Sequence, residues 1–278
     1  MHTHTYSTSC LLLIFMLIHV PRCWCAKDER YVRCGQLFQC GNIRNVGYPF
    51  WGANRPNYCG RSGFGLSCQN SDASPPQITI QHIRYRVLGI EYATRTLTVA
   101  RDDLWHNICP TSFNNIAFTS SYFSYNFWNT QNLTLFYDCA VAFNHSQTQP
   151  LPLQFDCTVN GTTGSRTYFV SPELRANGSN IDLGTCNSSI NVPVFRSAVE
   201  ALKSNSSLSI RAALDRGFGL QYSTGNDTYN CDQCVKSGGR CGFDYWSSNS
   251  SSSNSTWLMF TCFCADRPYS SQCKGTCP

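Results

Sequence analysis

The amino-acid sequence predicts a mostly β fold with minor α content, built as a disulfide-rich extracellular protein of two modules. Three observations predict it. Apolar and polar residues alternate with period two between Gln77 and Arg101, where Ile78/Ile80, Tyr85/Val87, Ile90/Tyr92 and Leu97/Val99 mark two or three half-buried antiparallel strands. Cysteine is frequent, 18 among 278 residues, a density that suits an oxidising compartment and not the cytosol. The chain also opens on an apolar run, Cys10–Val20, of the length of a secretory leader and too short to span a bilayer.

Residues 1–25 are read as a signal peptide. Cys23 and Cys25 are small enough for the −3 and −1 positions of a cleavage site before Ala26, although Met1–Ser9 holds two histidines and no Lys or Arg, a departure from the usual positive start. Cleavage would remove Cys10, Cys23 and Cys25. Secretion is supported independently by nine proline-free Asn-x-Ser/Thr sequons, at Asn132, Asn144, Asn160, Asn177, Asn187, Asn205, Asn226, Asn249 and Asn254. All follow residue 130, so the first part of the mature chain is free of predicted glycan and is the better place for a binding face. No later stretch reaches the roughly eighteen consecutive apolar residues of a membrane-spanning helix. Module boundaries are expected at 26–110 and 111–278.

The formal net charge is +5, and its placement is informative. Between Tyr31 and Ala100 lie Arg33, Arg44, Arg55, Arg61, Arg84, Arg86 and Arg95 against only Asp72 and Glu91. The glycan-free region is therefore the basic one, which suits an anionic partner. Nucleic acid is in the wrong compartment, so an extracellular polyanion is the better candidate.

Residues 34–68, rich in Cys, Gly, Asn and Pro, read as a loop-rich knot of short extended pieces. Further strands are expected at Leu133–Tyr137 and at Phe155–Val159, the latter before the hairpin signal Asn160-Gly161. Helix is expected at Ser197–Lys203 and Leu208–Arg216, with Gly217 placed to terminate the second. Gly-Phe-Gly-Leu occurs at Gly63–Leu66 and again at Gly217–Leu220, too short a match to claim a duplication. Ser247–Ser255, almost all Ser and Asn, reads as a flexible glycosylated loop.

Catalytic signatures are missing. Only His82, His106 and His145 survive maturation, none near a nucleophile motif, and there is no Gly-x-Ser-x-Gly, His-Glu-x-x-His or phosphate-cradling loop. Asp102-Asp103 reads as a turn and not as an acid/base pair, because adjacent residues of an extended chain point opposite ways. A binding protein without cofactor is expected, not an enzyme.

The last cysteines, Cys231-x2-Cys234-x6-Cys241-x20-Cys262-x-Cys264-x8-Cys273, resemble a degenerate EGF-like module over 231–273. That resemblance implies the pairs Cys231–Cys241, Cys234–Cys262 and Cys264–Cys273. The spacing also matches superficially a four-cysteine zinc set, Cys231, Cys234, Cys262 and Cys264, but in a secreted chain disulfides are preferred and no metal is expected. The pairing of Cys34, Cys40, Cys59, Cys68, Cys109, Cys139, Cys157 and Cys186 stays open, and Cys277 is left to pair outside the set or within a chain that continues past Pro278.

Cys34-x5-Cys40-Gly-Asn, Tyr48-Pro-Phe-Trp51, Asn57-x-Cys59-Gly and Phe64-x-Leu66-x-Cys68 resemble the galacturonan-binding domain of plant wall-associated receptor kinases, in the branch of the leaf rust resistance receptor-like kinases. Cys109-Pro110, Tyr137-Asp-Cys139, Cys157, Cys186, Arg216-Gly-Phe218-x-Leu220 and Ser237-Gly-Gly-Arg-Cys241-Gly resemble the cysteine-rich C-terminal module of the same ectodomains. The resemblance implies an apoplastic protein that contacts pectin or oligogalacturonides, secreted, or membrane-anchored if the chain continues. Kinase activity is not carried over, because the glycine-rich loop, catalytic lysine and catalytic-loop Asp are not in these residues. De-esterified galacturonan carries a carboxylate on each sugar, so guanidinium groups can grip it bidentately. The candidates are Arg44, Arg55, Arg61, Arg84 and Arg86, with Tyr48 and Trp51 as platforms for sugar C–H faces. The alternative is a co-receptor or decoy that binds a peptide or a receptor ectodomain; a wall-acting hydrolase or its inhibitor is third.

Overall fold

The computed structural model of the chain describes residues 26–68, 74–115, 120–140, 153–157, 166–171, 186–203, 208–247 and 256–274. The signal peptide, the sequons at Asn144, Asn160, Asn177, Asn205, Asn249 and Asn254, the Asn160-Gly161 turn, the Ser/Asn stretch beyond Ser247 and Cys277 lie outside the described residues.

The described chain begins with helix α1 (Glu29–Gly35), which the sequence reading did not anticipate. Asp28 caps it by accepting from the amides of Arg30 and Tyr31, and Glu29 pairs with Arg33 one turn on, 2.8 Å apart. A ribbon of β1 (Phe38–Cys40) and β2 (Ile43–Val46) follows, then a 3-10 turn at Asn57–Cys59 and the short β3 (Leu66–Ser67). Disulfides Cys34–Cys59 and Cys40–Cys68 close this segment on itself.

Strands β4 (Gln77–Ile80), β5 (Ile83–Glu91) and β6 (Thr96–Arg101) form the antiparallel run expected from the alternation, with a bulge between Val87 and Gly89. After a 3-10 turn at Asp102–Leu104 come β7 (Phe123–Tyr125), β8 (Thr130–Cys139), β9 (Leu153–Phe155), β10 (Arg166–Val170) and β11 (Cys186–Phe195). Helices α2 (Arg196–Lys203) and α3 (Ile210–Asp215) coincide with the two expected helical stretches. Gly217, at φ +71°, ends α3 by donating to Leu214 O; a β-carbon there would meet Val99 O at 2.1 Å.

Next is β12 (Phe218–Tyr222), which inserts between β6 and β7 to give a six-stranded sheet of order β3-β4-β5-β6-β12-β7. This sheet therefore takes strands from both sides of residue 110. One of its faces buries Tyr85, Val87, Leu97, Val99, Phe218 and Leu220 under the β1–β2 ribbon and the rings of Phe50 and Phe64. The second sheet, β11-β8-β10-β9, packs Leu133, Leu135, Tyr137, Ile190, Val192 and Val194 on Ala198, Val199, Ala213 and Leu214 of α2 and α3. Disulfides Cys109–Cys157 and Cys139–Cys186 close it.

The chain continues through α4 (Asp227–Lys236), also unanticipated, and a three-stranded sheet of β13 (Arg240–Ser247), β14 (Thr256–Phe263) and β15 (Pro268–Tyr269). Cys231–Cys241, Cys234–Cys262 and Cys264–Cys273 tie helix to sheet. The sulfurs of Cys262, Cys264 and Cys273 lie within 4.8 Å of one another, yet each belongs to a disulfide and is no thiolate ligand. Gly239 is where these bridges converge: a β-carbon there would come within 2.3 Å of Cys262 Sγ and 2.6 Å of Cys234 Sγ. Among the described residues no helix is long and apolar enough to cross a membrane.

Candidate functional site

Side chains alternate across a strand, so with Tyr85 and Val87 in the core, Arg84 and Arg86 of β5 stand on the opposite, outer face of the six-stranded sheet. The ladder extends that face in both directions. Thr79 is opposite Arg84, Gln77 is opposite Arg86, and Ser67 is opposite Gln77. On the other side, Thr98 and Gln221 continue it through β6 and β12. The result is a flat polar surface with two arginines on a central strand.

Trp51 closes one edge of this surface. Its backbone bridges in parallel to Gly65 beside β3, accepting from Leu66 N at 2.8 Å. The indole lies on two glycines: β-carbons at Gly60 and Gly65 would fall 2.7 Å and 2.6 Å from its ring atoms. Its Nε1 donates to Arg61 O at 2.9 Å, which fixes the ring. Trp51, Gly65, Ser67, Gln77 and Thr79 line a shallow depression of about 370 Å³.

Asp102, in the turn after β6, sets the charge of the face. Its carboxylate lies 2.8 Å from Arg86 Nε and 3.6 Å from Arg84 Nε, and accepts from Gln77 Nε2 at 2.9 Å. One carboxylate shared by two guanidiniums leaves a net positive charge. Arg84 keeps 67% of its side-chain surface in solvent, whereas Arg86 is more covered and sits over the Trp105 ring, 5.7 Å from its centroid. Asp103 instead pairs with buried Arg101 at 2.6 Å, so the two adjacent carboxylates do separate work.

The structure brings together Trp51, Arg84 and Arg86 of the seven residues expected to contact ligand, and disperses the rest. Arg55 is 5% exposed and donates to three carbonyls, Cys34 O, Gln36 O and Cys59 O, at 2.7–2.9 Å. Burial lowers its pKa to about 10, and it is a strut inside the N-terminal knot, out of reach of a polymer. Arg61 pairs with Asp227 of α4, donates to Tyr122 Oη at 2.7 Å and stacks on Tyr122 and Phe243, joining parts of the chain distant in sequence. Tyr48 packs against the C-terminal cysteine cluster, where burial raises its pKa to about 12. Arg44 is exposed on β2, but the ribbon that carries it covers the core side of the sheet, so it faces away from Arg84.

Sequence reasoning missed Ser67, Gln77, Thr79 and Trp105. The signal for two of them was present: the period that buries Ile78 and Ile80 puts Gln77 and Thr79 on the other face. Asn132, Asn187 and Asn226, the sequons within the described residues, are exposed on β8, on β11 and before α4. None lies on a strand of the six-stranded sheet.

Two family models match the chain: wall-associated receptor kinase galacturonan-binding over residues 34–101, and wall-associated receptor kinase C-terminal over 156–267. The chain belongs to the wall-associated receptor kinase ectodomain family. Its relatives include the Arabidopsis thaliana leaf rust 10 disease-resistance locus receptor-like protein kinase-like 2.1, 30% identical over 96% of this chain and 40% of that protein. The 2.5 protein of the same series is 30% identical over 88% of this chain and 37% of its own length, and the 2.4 protein 39% identical over 38% and 17%. The chain thus spans about 40% of the length of the curated relative it matches over most of its residues. No solved structure matches it. In this chain β3 to β6 come from the stretch matched by the first family model, while β12 comes from the stretch matched by the second and is hydrogen-bonded beside β6.

Proposed function

We propose that this ectodomain binds de-esterified galacturonan on the outer face of its six-stranded sheet. The observation that carries the reading is the fixed Trp51 ring lying beside Ser67, Gln77 and Thr79, with Arg84 and Arg86 one strand further on. Such a surface offers a stacking plane for a sugar, hydroxyl and amide groups for its oxygens, and guanidinium groups for its carboxylates. The galacturonan-binding description of the matched family supports the same class of ligand. The chain then serves as the wall-contacting part of a receptor-like kinase, or as a secreted relative of one, and performs no chemistry on the polymer.

Binding of the secreted glycoprotein to polygalacturonate at two salt concentrations, with fully methyl-esterified pectin as control, tests this. Binding of the acid form alone, weakened by salt, is expected, because released counterions make polyelectrolyte association salt-dependent. Arg84→Ala should reduce both the affinity and the salt slope. No binding at low salt would remove the proposal.

A second reading, a peptide- or receptor-binding module, rests on a different cleft. Arg30, Trp51, Tyr58, Phe243, Asp244 and Leu258 line a space of about 240 Å³ between the N-terminal knot and the last sheet. Arg30 and Asp244, 2.6 Å apart, would present both signs of charge there. A protein partner seated in that cleft would be indifferent to pectin and sensitive to Tyr58→Ala.

A further inference from the structure

Opposite Trp51, the six-stranded sheet ends at β7 in a turn that carries two open aromatic side chains, Phe127 at 75% and Trp128 at 93% exposure. The turn itself is pinned. Asn126 N donates to Gly219 O, and Asn126 O accepts from Asn129 N and Thr130 N. Asn129 O accepts from Arg196 N at 2.8 Å, while Asn126 Oδ1 accepts from Trp128 N at 3.3 Å. A backbone held by this many bonds, presenting a tryptophan with almost no internal contact, forgoes the burial that such a ring ordinarily brings to a fold.

The turn lies over the outer face. Phe218 and Leu220 of β12 point into the core, so Gly219 between them points out. A β-carbon at Gly219 would fall 3.0 Å from Asn129 Oδ1 and 3.5 Å from Asn126 Cβ, which places the turn on the same side of the sheet as Arg84 and Arg86. Phe127 rests edge-on against Tyr125, ring centroids 6.3 Å apart, and Tyr125 stands opposite Leu220 on the core side, so the Phe127 ring turns round the edge and leaves Trp128 as the aromatic of this turn open to the outer face.

We propose that Trp128 is a second stacking platform for the same acidic polysaccharide, so that the face reads a minimum length of chain between Trp51 at one edge and Trp128 at the other. This rests on the galacturonan reading above and deepens it. Strands lie about 4.8 Å apart, so the five steps from β3 to β7 span roughly 24 Å, several sugars of a chain crossing the strands. The surface between is polar and carries the two arginines, and the aromatic rings stand at opposite edges without a continuous apolar patch. That distribution fits an extended glycan better than a protein partner, whose contact would centre on a clustered apolar core. Two platforms joined by one ligand also gain from effective concentration, which makes affinity rise with chain length.

The test is a length series of oligogalacturonides, from dimers to polymer, titrated at low salt against the wild-type glycoprotein, Trp128→Ala and Arg84→Ala. Because Trp128 is almost wholly exposed, its replacement should leave the thermal midpoint unchanged. The wild type is expected to show a rise in affinity once the oligomer spans the face. Trp128→Ala should lose that rise, binding long oligomers roughly two- to tenfold more weakly, about the contribution of one aromatic pair, and the shortest ones as before. Equal binding of every length by Trp128→Ala and the wild type, with Arg84→Ala weakened throughout, would overturn the second platform and leave the galacturonan face standing. Failure of the wild type to bind any length would overturn both.

Discussion

The indole of Trp51 occupies the space that a side chain at Gly65 would need. A β-carbon at Gly65 would lie 2.6 Å from its Cζ2 and 2.9 Å from its Cη2, and the ring cannot slide away without stretching its hydrogen bond to Arg61 O. Gly65→Ala should therefore swing the indole off the outer face, cost about 1–3 kcal/mol in stability as overpacking typically does, and weaken polygalacturonate binding as much as Trp51→Ala does. Tryptophan emission and denaturant unfolding would report the two effects separately. An unshifted emission spectrum with normal binding would show that the ring is not held as described.

Arg55 should behave as structure and not as ligand contact. Its replacement by Ala leaves three carbonyls without their donor, those of Cys34 and Cys59 buried, and hydrogen bonds to a charged group contribute about 1.5–3 kcal/mol each. Secreted yield and thermal midpoint should fall sharply. Arg55→Lys should rescue only part of the loss, because a point ammonium cannot reproduce the planar fork. Any Arg55 variant that is secreted should bind polymer with the wild-type salt slope.

Arg61 joins Tyr122, Asp227 and Phe243, so Arg61→Ala should loosen the seating of α4 and β13 on the N-terminal knot. A partly covered ion pair of this kind is worth about 1–3 kcal/mol with its hydrogen bonds. Amide hydrogen exchange should speed up in α4 and β13 and stay unchanged in β5 and β6. Uniform protection across all four would contradict this role.

Alkaline pH should unfold the protein through its tyrosines. Tyr48 ionises near pH 10 when unfolded and at about 12 when folded, because burial opposes its charged form. Its contribution to stability is complete below pH 10 and is lost as pH rises toward 12. Tyr85, Tyr137 and Tyr222 are raised by burial in the same direction. Absorbance at the phenolate band should lag behind that of free tyrosine and rise together with the loss of circular dichroism. Full ionisation around pH 10 in a still-folded chain would rule out the burial described.

Much of the architecture was legible as local pattern. The alternation over Gln77–Arg101 marked β4 to β6, and Gly217 was recognisable as a helix stop because only glycine takes that conformation cheaply. Helix α4 was illegible for a physical reason: Asp227–Lys236 is polar around most of its circumference, and its helix is anchored by Cys231 and Cys234, spaced one turn apart, through bridges to β13 and β14. Helix α1 is similarly short and held by its cap and the Cys34–Cys59 bridge. Among the arginines, sequence offered no way to separate Arg55 from Arg84. The carbonyls that absorb Arg55 include those of Cys34 and Gln36, 21 and 19 positions away, and the solvent around Arg84 is left by strands that pair elsewhere.

The sequence by itself determined the oxidising compartment, the cysteines available for pairing, the strand parity that puts Arg84 and Arg86 on one face, and the lack of sequons before residue 130. These follow from composition and from periods of two to four residues, which survive in any local context. Only the tertiary structure decided that β12 enters the sheet beside β6, that Trp51 and the turn carrying Trp128 stand at opposite edges of that sheet, and that Arg55 and Arg61 are consumed inside the fold. Those outcomes depend on pairings between residues tens to more than a hundred positions apart, where free energy is set by burial and by hydrogen-bond partners that no local pattern encodes.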